Sequence, residues 1–199
     1  MNAVLFGGSG DTKEYNEGLR ERYALGQWDS RQFYEQVKKA LGLDMTYGQF
    51  ADAWCEMFEP HREIASFVQC VRNAGVPQCV LSSTDPLHME KMASVGGLRE
   101  SIGHERFVTT YDVGVKKPHR RLLERVEEVL HLPREKLVIV EDIPKYIEAF
   151  RQYGVGGGVH VKVGQPDFQS QCISDVCSTL GLDAGVIHPS FIYRRNMSL

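Results

Sequence analysis

The sequence predicts an α/β fold: a parallel sheet with helices on both faces, carrying a small all-helical insertion near its start. Three observations predict it. Short continuous apolar runs recur along the 199-residue chain, as they do in strands buried on both faces. From residue 75 onward these runs alternate with amphipathic helical stretches, the rhythm of a parallel sheet. Residues 14–74 interrupt that rhythm with helices alone. A composition of 42% hydrophobic and 25% charged residues supplies a core and argues against disorder.

Ala3–Phe6 is an apolar run that stops at Gly7-Gly8-Ser9-Gly10, a buried strand meeting a loop. A helical stretch follows from about Lys13 to Ala24. Asp29, with Gln32 three residues on, opens a helix whose stripe is Phe33, Val37, Ala40 and Leu41. Thr46 and Gln49 open another, with Phe50, Ala53, Trp54, Met57 and Phe58 as its stripe and Pro60 at its end. His61–Asn73 is a further helix, stopped by Gly75. Then come a strand at Gln78–Leu81, a helix from Asp85-Pro86 to about Ser94 and a strand at Arg106–Thr110. Pro118–His131 is a helix with Leu122, Leu123, Val126, Val129 and Leu130 on one side. A strand at Leu137–Val140 leads to a helix at Pro144–Tyr153, ended by Gly154. A strand at Val159–Val163 precedes a last helix at Phe168–Leu180. The tail 188–199 shows no period. This divides the chain into an α/β core, 1–12 with 75–199, and a helical cap, 13–74. The glycines of Gly154–Gly158 follow a helix and precede a strand, the wrong order for a dinucleotide loop, and read as a flexible connection.

The whole-chain properties exclude several classes. A net charge of -3 offers no basic field for nucleic acid or an anionic membrane. No apolar run approaches the roughly 20 residues that span a bilayer. MNAVLFGG has no basic n-region and too short an apolar stretch for a signal peptide. The five cysteines form no CxxC pair and read as reduced thiols, so the expected compartment is the cytoplasm. The seven histidines show no HxH or HExxH spacing for zinc. A protein partner is left open by the sequence: Phe191-Ile192-Tyr193-Arg194-Arg195 in the tail mixes aromatics with charge and either docks a partner or packs on the domain.

In an open parallel sheet, ligands bind beyond the carboxyl ends of the strands. The residues there are Gly7 to Thr12 after the first strand, Ser82, Ser83, Thr84 and Asp85 after the second, and Glu141 and Asp142 after a later one. Lys116-Lys117-Pro118 leads into a helix. Hydroxyls, a lysine and an acidic pair on one rim suit a small anionic ligand, such as a phosphate, and a divalent cation.

These segments resemble, in order, motifs of the haloacid dehalogenase-like (HAD) hydrolases. VLSSTDPLH resembles the second motif, which implies that Ser82, with Ser83 beside it, binds a phosphoryl group. YDVGVKKPHRRLLERV resembles the third, which implies that Lys117 neutralises phosphate and nucleophile. LVIVEDIPKYIEAFRQYGV resembles the fourth, which implies that Glu141 and Asp142 hold Mg²⁺. YALGQWDSRQFYEQVKKALGL is similar to the small C1-type cap of the dehalogenase and phosphatase branch. The resemblance covers about residues 3–165 and implies a Rossmann-like HAD fold.

The first motif departs from the family pattern DxDx[TV]. Gly7 stands at the position of the attacking aspartate and Ser9 at that of the general acid/base. Gly10 matches the usual glycine, and Asp11 follows it. Gly7 has no side chain, so no aspartyl-phosphate forms there. An unassisted hydroxyl at Ser9 does not shuttle protons near neutral pH. With one carboxylate lost, Mg²⁺ binding at Glu141 and Asp142 is expected to be weak. Each residue also has a plainer reading. Gly7–Gly10 is a phosphate cradle or a bare turn, and the missing Gly-Lys-Ser/Thr ending favours the turn. Asp11 is a substitute nucleophile or a helix N-cap, the commoner role. Ser82 and Lys117 bind an anion or make a turn cap and an ion pair, with Glu141 or Asp142 as the lysine's partner. Asp142 is a cation ligand or the cap of the helix at Pro144. The expectation is a HAD-like protein without phosphatase chemistry that retains an anion site. The alternative is an active hydrolase of small phosphorylated or halogenated substrates using Asp11. A third reading, an interaction module, leaves the Ser82–Lys117 rim without a ligand.

Overall fold

Side-chain caps decide where the N-terminal helices begin. The computed structural model describes residues 18–57, 62–94 and 98–183. The sequence readings of the strand 3–6, the loop 7–12, the start of the first helix and the 188–199 tail lie outside the described residues. Helix α1 spans Leu19–Ala24. Asp29 Oδ1 accepts the backbone N–H groups of Arg31 and Gln32 at 2.9 and 2.8 Å, and Gln32 Oε1 accepts that of Asp29 at 3.0 Å. This capping box starts α2, Ser30–Leu41, by satisfying donors that a helix end leaves orphaned. Thr46 and Gln49 repeat the device for α3, Tyr47–Trp54. The three helices bury Tyr23, Phe33, Val37 and Phe50 together, with the Tyr23 and Phe33 rings stacked at 4.3 Å. Helix α3 stops at Trp54, so Met57 is exposed rather than part of the stripe.

Helix α4 spans Arg62–Asn73. Strand β1, Val80–Ser82, is followed by α5, Pro86–Ser94, and α6, Leu98–Ile102. Strand β2, Phe107–Thr109, runs into α7, Thr110–Val113, and then α8, Arg120–Leu130. Strand β3, Val138–Glu141, precedes α9, Pro144–Gln152; β4, Gly157–His160, precedes α10, Phe168–Leu180. Helices α6 and α7 are too short to show a period, and the sequence pattern passed over both.

The strands form two parallel pairs, β1 with β2 and β3 with β4. Leu122, Leu123 and Val126 of α8 pack with Val108 of β2, Leu137 and Phe150, while Leu81 and Ile139 lie against the same cluster. One helix layer therefore covers strands of both pairs. On the other face, Phe67, Cys70 and Val71 of α4 pack with Val159 and with Cys172, Ile173, Val176 and Cys177 of α10. Helix α4, grouped with the cap in the sequence, thus contributes to the sheet layer. Cys172 and Cys177, set on different faces by spacing, are both buried because α10 lies between α4 and the strands. Among the described residues, no helix is long and apolar enough to cross a membrane.

The glycine run is not the flexible connection that its composition suggests. Gly157 and Gly158 open β4, two residues before the strand expected at Val159. A Cβ on Gly156 would stand 2.0 Å from the Glu135 carbonyl oxygen, and one on Gly158 would stand 2.3 Å from Ile147 Cγ2. The glycines let this segment approach its neighbours closely. Gly156→Ala is therefore expected to lower stability by about 2 kcal/mol, read as a lower urea midpoint. An unchanged midpoint would contradict the close approach.

Candidate functional site

Parallel pairing brings the polar ends of the four strands to one side of their pairs. Ser82 ends β1 opposite Thr109 of β2, and Glu141 ends β3 opposite His160 of β4. Lys117 stands between α7 and α8, joined to Pro118 by a cis peptide bond. Its Nζ donates to Glu141 Oε2 at 2.6 Å. The two side chains are only 9% and 10% exposed. Glu141 Oε1 accepts the backbone N–H groups of Asp142 and Ile143 at 3.1 and 3.3 Å. Both carboxylate oxygens are thus occupied, which is how a buried charge is tolerated. The Lys117 ammonium also lies 5.4 Å from the centre of the Tyr146 ring, a favourable placement for a cation.

Asp142 is exposed beside this pair. The nearby positive charge of Lys117 helps to hold its carboxyl below the ordinary carboxylate range. It does not cap α9. The cap residue is Ile143, without a side-chain bond, and Pro144 begins the helix. Proline at that position needs no acceptor for an N–H, which removes one orphan donor. The Asp142 carbonyl oxygen instead lies 3.2 Å from His160 Nε2.

The loop after β1 is anchored separately. Thr84 N–H donates to Thr110 Oγ1 at 3.3 Å, and that hydroxyl donates back to the Thr84 carbonyl at 3.2 Å. Asp85 Oδ1 accepts the His88 backbone N–H at 2.9 Å, fixing the start of α5. Thr109 Oγ1 donates to Asp112 Oδ2 at 2.6 Å. Among the described residues, Ser82 and Ser83 hydrogen-bond none of Lys117, Glu141 or Asp142. The structure therefore joins Lys117 to Glu141 and Asp142 directly and places the serines on the neighbouring strand pair. Gly7, Ser9 and Asp11 lie outside the described residues.

Sequence reasoning missed Thr109, Thr110, Tyr146 and His160. Thr109 with Asp112 three residues on is a capping pattern that could have been read. His160 carried no local signal, because its place follows from the pairing of β4 with β3. No cluster of three His, Cys, Asp or Glu able to hold a metal occurs among the described residues. Glu141 is already committed to Lys117 and two amides. The described residues do not by themselves fit a Mg²⁺ ion.

The fold and site together define a parallel α/β protein with a lysine, hydroxyls and acids at its strand ends. The family comparison makes this specific. The model for haloacid dehalogenase-like hydrolases matches residues 10–154. The chain belongs to that family. The match begins at Gly10, so Gly7 and Ser9 precede it. Solved structures with the same fold include a HAD family enzyme from Bacteroides thetaiotaomicron in complex with magnesium and inorganic phosphate. It is 14% identical, with 75% of this chain and 77% of that chain covered and a TM-score of 0.66. A predicted HAD-like family hydrolase from Porphyromonas gingivalis is 17% identical, with 80% and 78% covered and a TM-score of 0.66.

The buried pair sets a stability test. Lys117→Met leaves the Glu141 carboxylate without its cation and is expected to cost about 3 kcal/mol. Replacing both, Lys117→Met with Glu141→Leu, is expected to recover most of that loss in urea unfolding. A single change costing less than about 1 kcal/mol would mean that the pair behaves as a surface one.

Proposed function

We propose that this chain is a HAD-like protein that binds a small anion at the Ser82, Ser83 and Lys117 rim and lacks aspartyl-phosphate chemistry. The observation that carries this reading is the segment LFGGSGDT, in which Gly7 and Ser9 stand where the family pattern has two aspartates. The arrangement around Lys117 supports it. A lysine ammonium has three donors, and Glu141 takes one of them. The remaining capacity suits an anion, with Ser82 and Ser83 as hydroxyl donors from β1. Phosphate is the probe of choice, since a fold neighbour was crystallised with it. Mg²⁺ at Glu141 and Asp142 is weak in this reading, because Glu141 would have to leave its present partners.

The same proposal assigns residues 1–12 with 75–199 to the core and 13–74 to the cap, with α4 of that stretch packed on the core's sheet layer. The five free thiols support a reducing compartment, the cytoplasm. The acidic net charge supports no nucleic-acid role.

Turnover of an aryl phosphate with Mg²⁺ tests the proposal. The natural protein is expected at the buffer background, whereas Gly7→Asp/Ser9→Asp is expected to rise at least about tenfold, because the double change restores nucleophile and general acid/base. Turnover by the natural protein that Asp11→Ala abolishes would establish the alternative, an active hydrolase with a substitute nucleophile. For the anion site, calorimetric titration with inorganic phosphate is expected to show binding that weakens about fivefold in Ser82→Ala, the loss of one hydrogen bond. Equal affinity in both would remove Ser82 from the site.

A further inference from the structure

Trp54, the last residue of α3, is held on α5 by a buried Asp85–His88 pair. Asp85 is 2% exposed and His88 5%. Asp85 Oδ2 accepts from Trp54 Nε1 at 3.2 Å and lies 3.0 Å from His88 Nδ1. Its Oδ1 takes the His88 backbone N–H at 2.9 Å. The other ring nitrogen, Nε2, faces the Trp54 carbonyl oxygen at 2.8 Å. The imidazole and indole rings are stacked, 5.1 Å apart and 11° from parallel.

The partners dictate the ring's protonation. A carbonyl oxygen only accepts, and so does an ionised carboxylate. Asp85 accepts two N–H groups and faces a ring nitrogen of His88, which suits the carboxylate rather than the acid. Both ring nitrogens of His88 therefore face acceptors, and only the doubly protonated ring donates to both. A neutral ring has one donor and would set a lone pair against a buried oxygen. The positive ring over the indole face is a further favourable contact.

We infer that His88 is a proton-operated latch between Trp54 and α5. Protonated, it locks α3 onto the start of α5; losing one ring proton releases Trp54 and loosens the loop Ser82–Thr84, which runs directly into Asp85. The inference does not depend on whether the rim catalyses anything.

Other charged and titratable groups surround the latch. Tyr23 of α1 accepts the Leu87 N–H at 3.0 Å, and Cys55 donates to the Leu87 carbonyl at 3.5 Å. The Asp85 charge reaches Tyr23, Cys55 and Tyr111 of α7. Asp52 of α3 and Glu90 and Lys91 of α5 act on Cys55, and Arg99 of α6 acts on Tyr111. Burial pushes the Cys55 thiol and the Tyr23 and Tyr111 phenols up, away from neutrality. Histidine is the side-chain type that ordinarily changes charge in the neutral range.

The test uses the full chain with Trp28→Phe, which leaves Trp54 as the one indole, since the chain has two tryptophans. Emission is followed from about pH 5 to about pH 9, above the ordinary carboxylate range and across that of histidine. An imidazolium quenches a stacked indole, so emission is expected to rise through one transition. The backbone amides of Ser82–Thr84 are expected to shift with the same midpoint, and both changes are expected to vanish in His88→Gln. A transition that persists in His88→Gln, or loop amides that move at a different midpoint, would overturn the latch. If His88→Gln does not fold, nitrogen spectra of ¹⁵N-histidine-labelled natural protein decide. Two protonated His88 ring nitrogens below the transition support the latch, and one bare nitrogen there overturns it.

Discussion

The ion pair between Lys117 and Glu141, at 2.6 Å and nearly buried, organises the strand ends. Among the described residues, β1–β2 and β3–β4 share no ladder hydrogen bonds. What joins the two pairs there is apolar packing against α8 below and this pair at the polar end. The pair reaches from the segment after α7 to the end of β3. A charge pair removed from water stabilises only when its remaining valences are satisfied. The Asp142 and Ile143 amides on the second Glu141 oxygen meet that condition. The chain direction at the start of α9 is set by the same two amides.

Much of this architecture was legible in the sequence. The capping boxes at Asp29 and Thr46 occur where the residue pattern put them. The last helix runs from Phe168 to Leu180 as its apolar spacing implied, and Lys117 meets one of the two acids proposed for it. These features are local, or depend on one polar group seeking a charge. The failures are of another kind. Glycines at 156–158 look like a linker in sequence because composition does not reveal a carbonyl and a methyl group 2.0 and 2.3 Å from the missing Cβ atoms. Asp142 looks like a cap, but Pro144 removes one of the donors it would have served. The Trp54, Asp85 and His88 contacts link residues about thirty positions apart, beyond the reach of any periodicity.

Membership of a hydrolase family and the ability to hydrolyse are separate properties. The matched stretch, 10–154, contains the serines, the lysine and the acidic pair. In the proposed reading those groups bind and neutralise an anion, and none of them forms the covalent bond of a phosphotransfer. In the same reading, a rim that keeps them without an attacking carboxylate recognises charge and leaves the bound molecule unchanged. The fold neighbours from Bacteroides thetaiotaomicron and Porphyromonas gingivalis, 14% and 17% identical, establish the scaffold and leave this chemistry to be decided by the chain itself.

The most direct test of that view is the mass of the intact protein, acid-quenched after exposure to acetyl phosphate and Mg²⁺. A phosphoryl group on a carboxylate survives such a quench long enough to be weighed. The unmodified mass is predicted for the natural chain. An added phosphoryl group, mapped by fragmentation to Asp11 or any other carboxylate, would contradict the account.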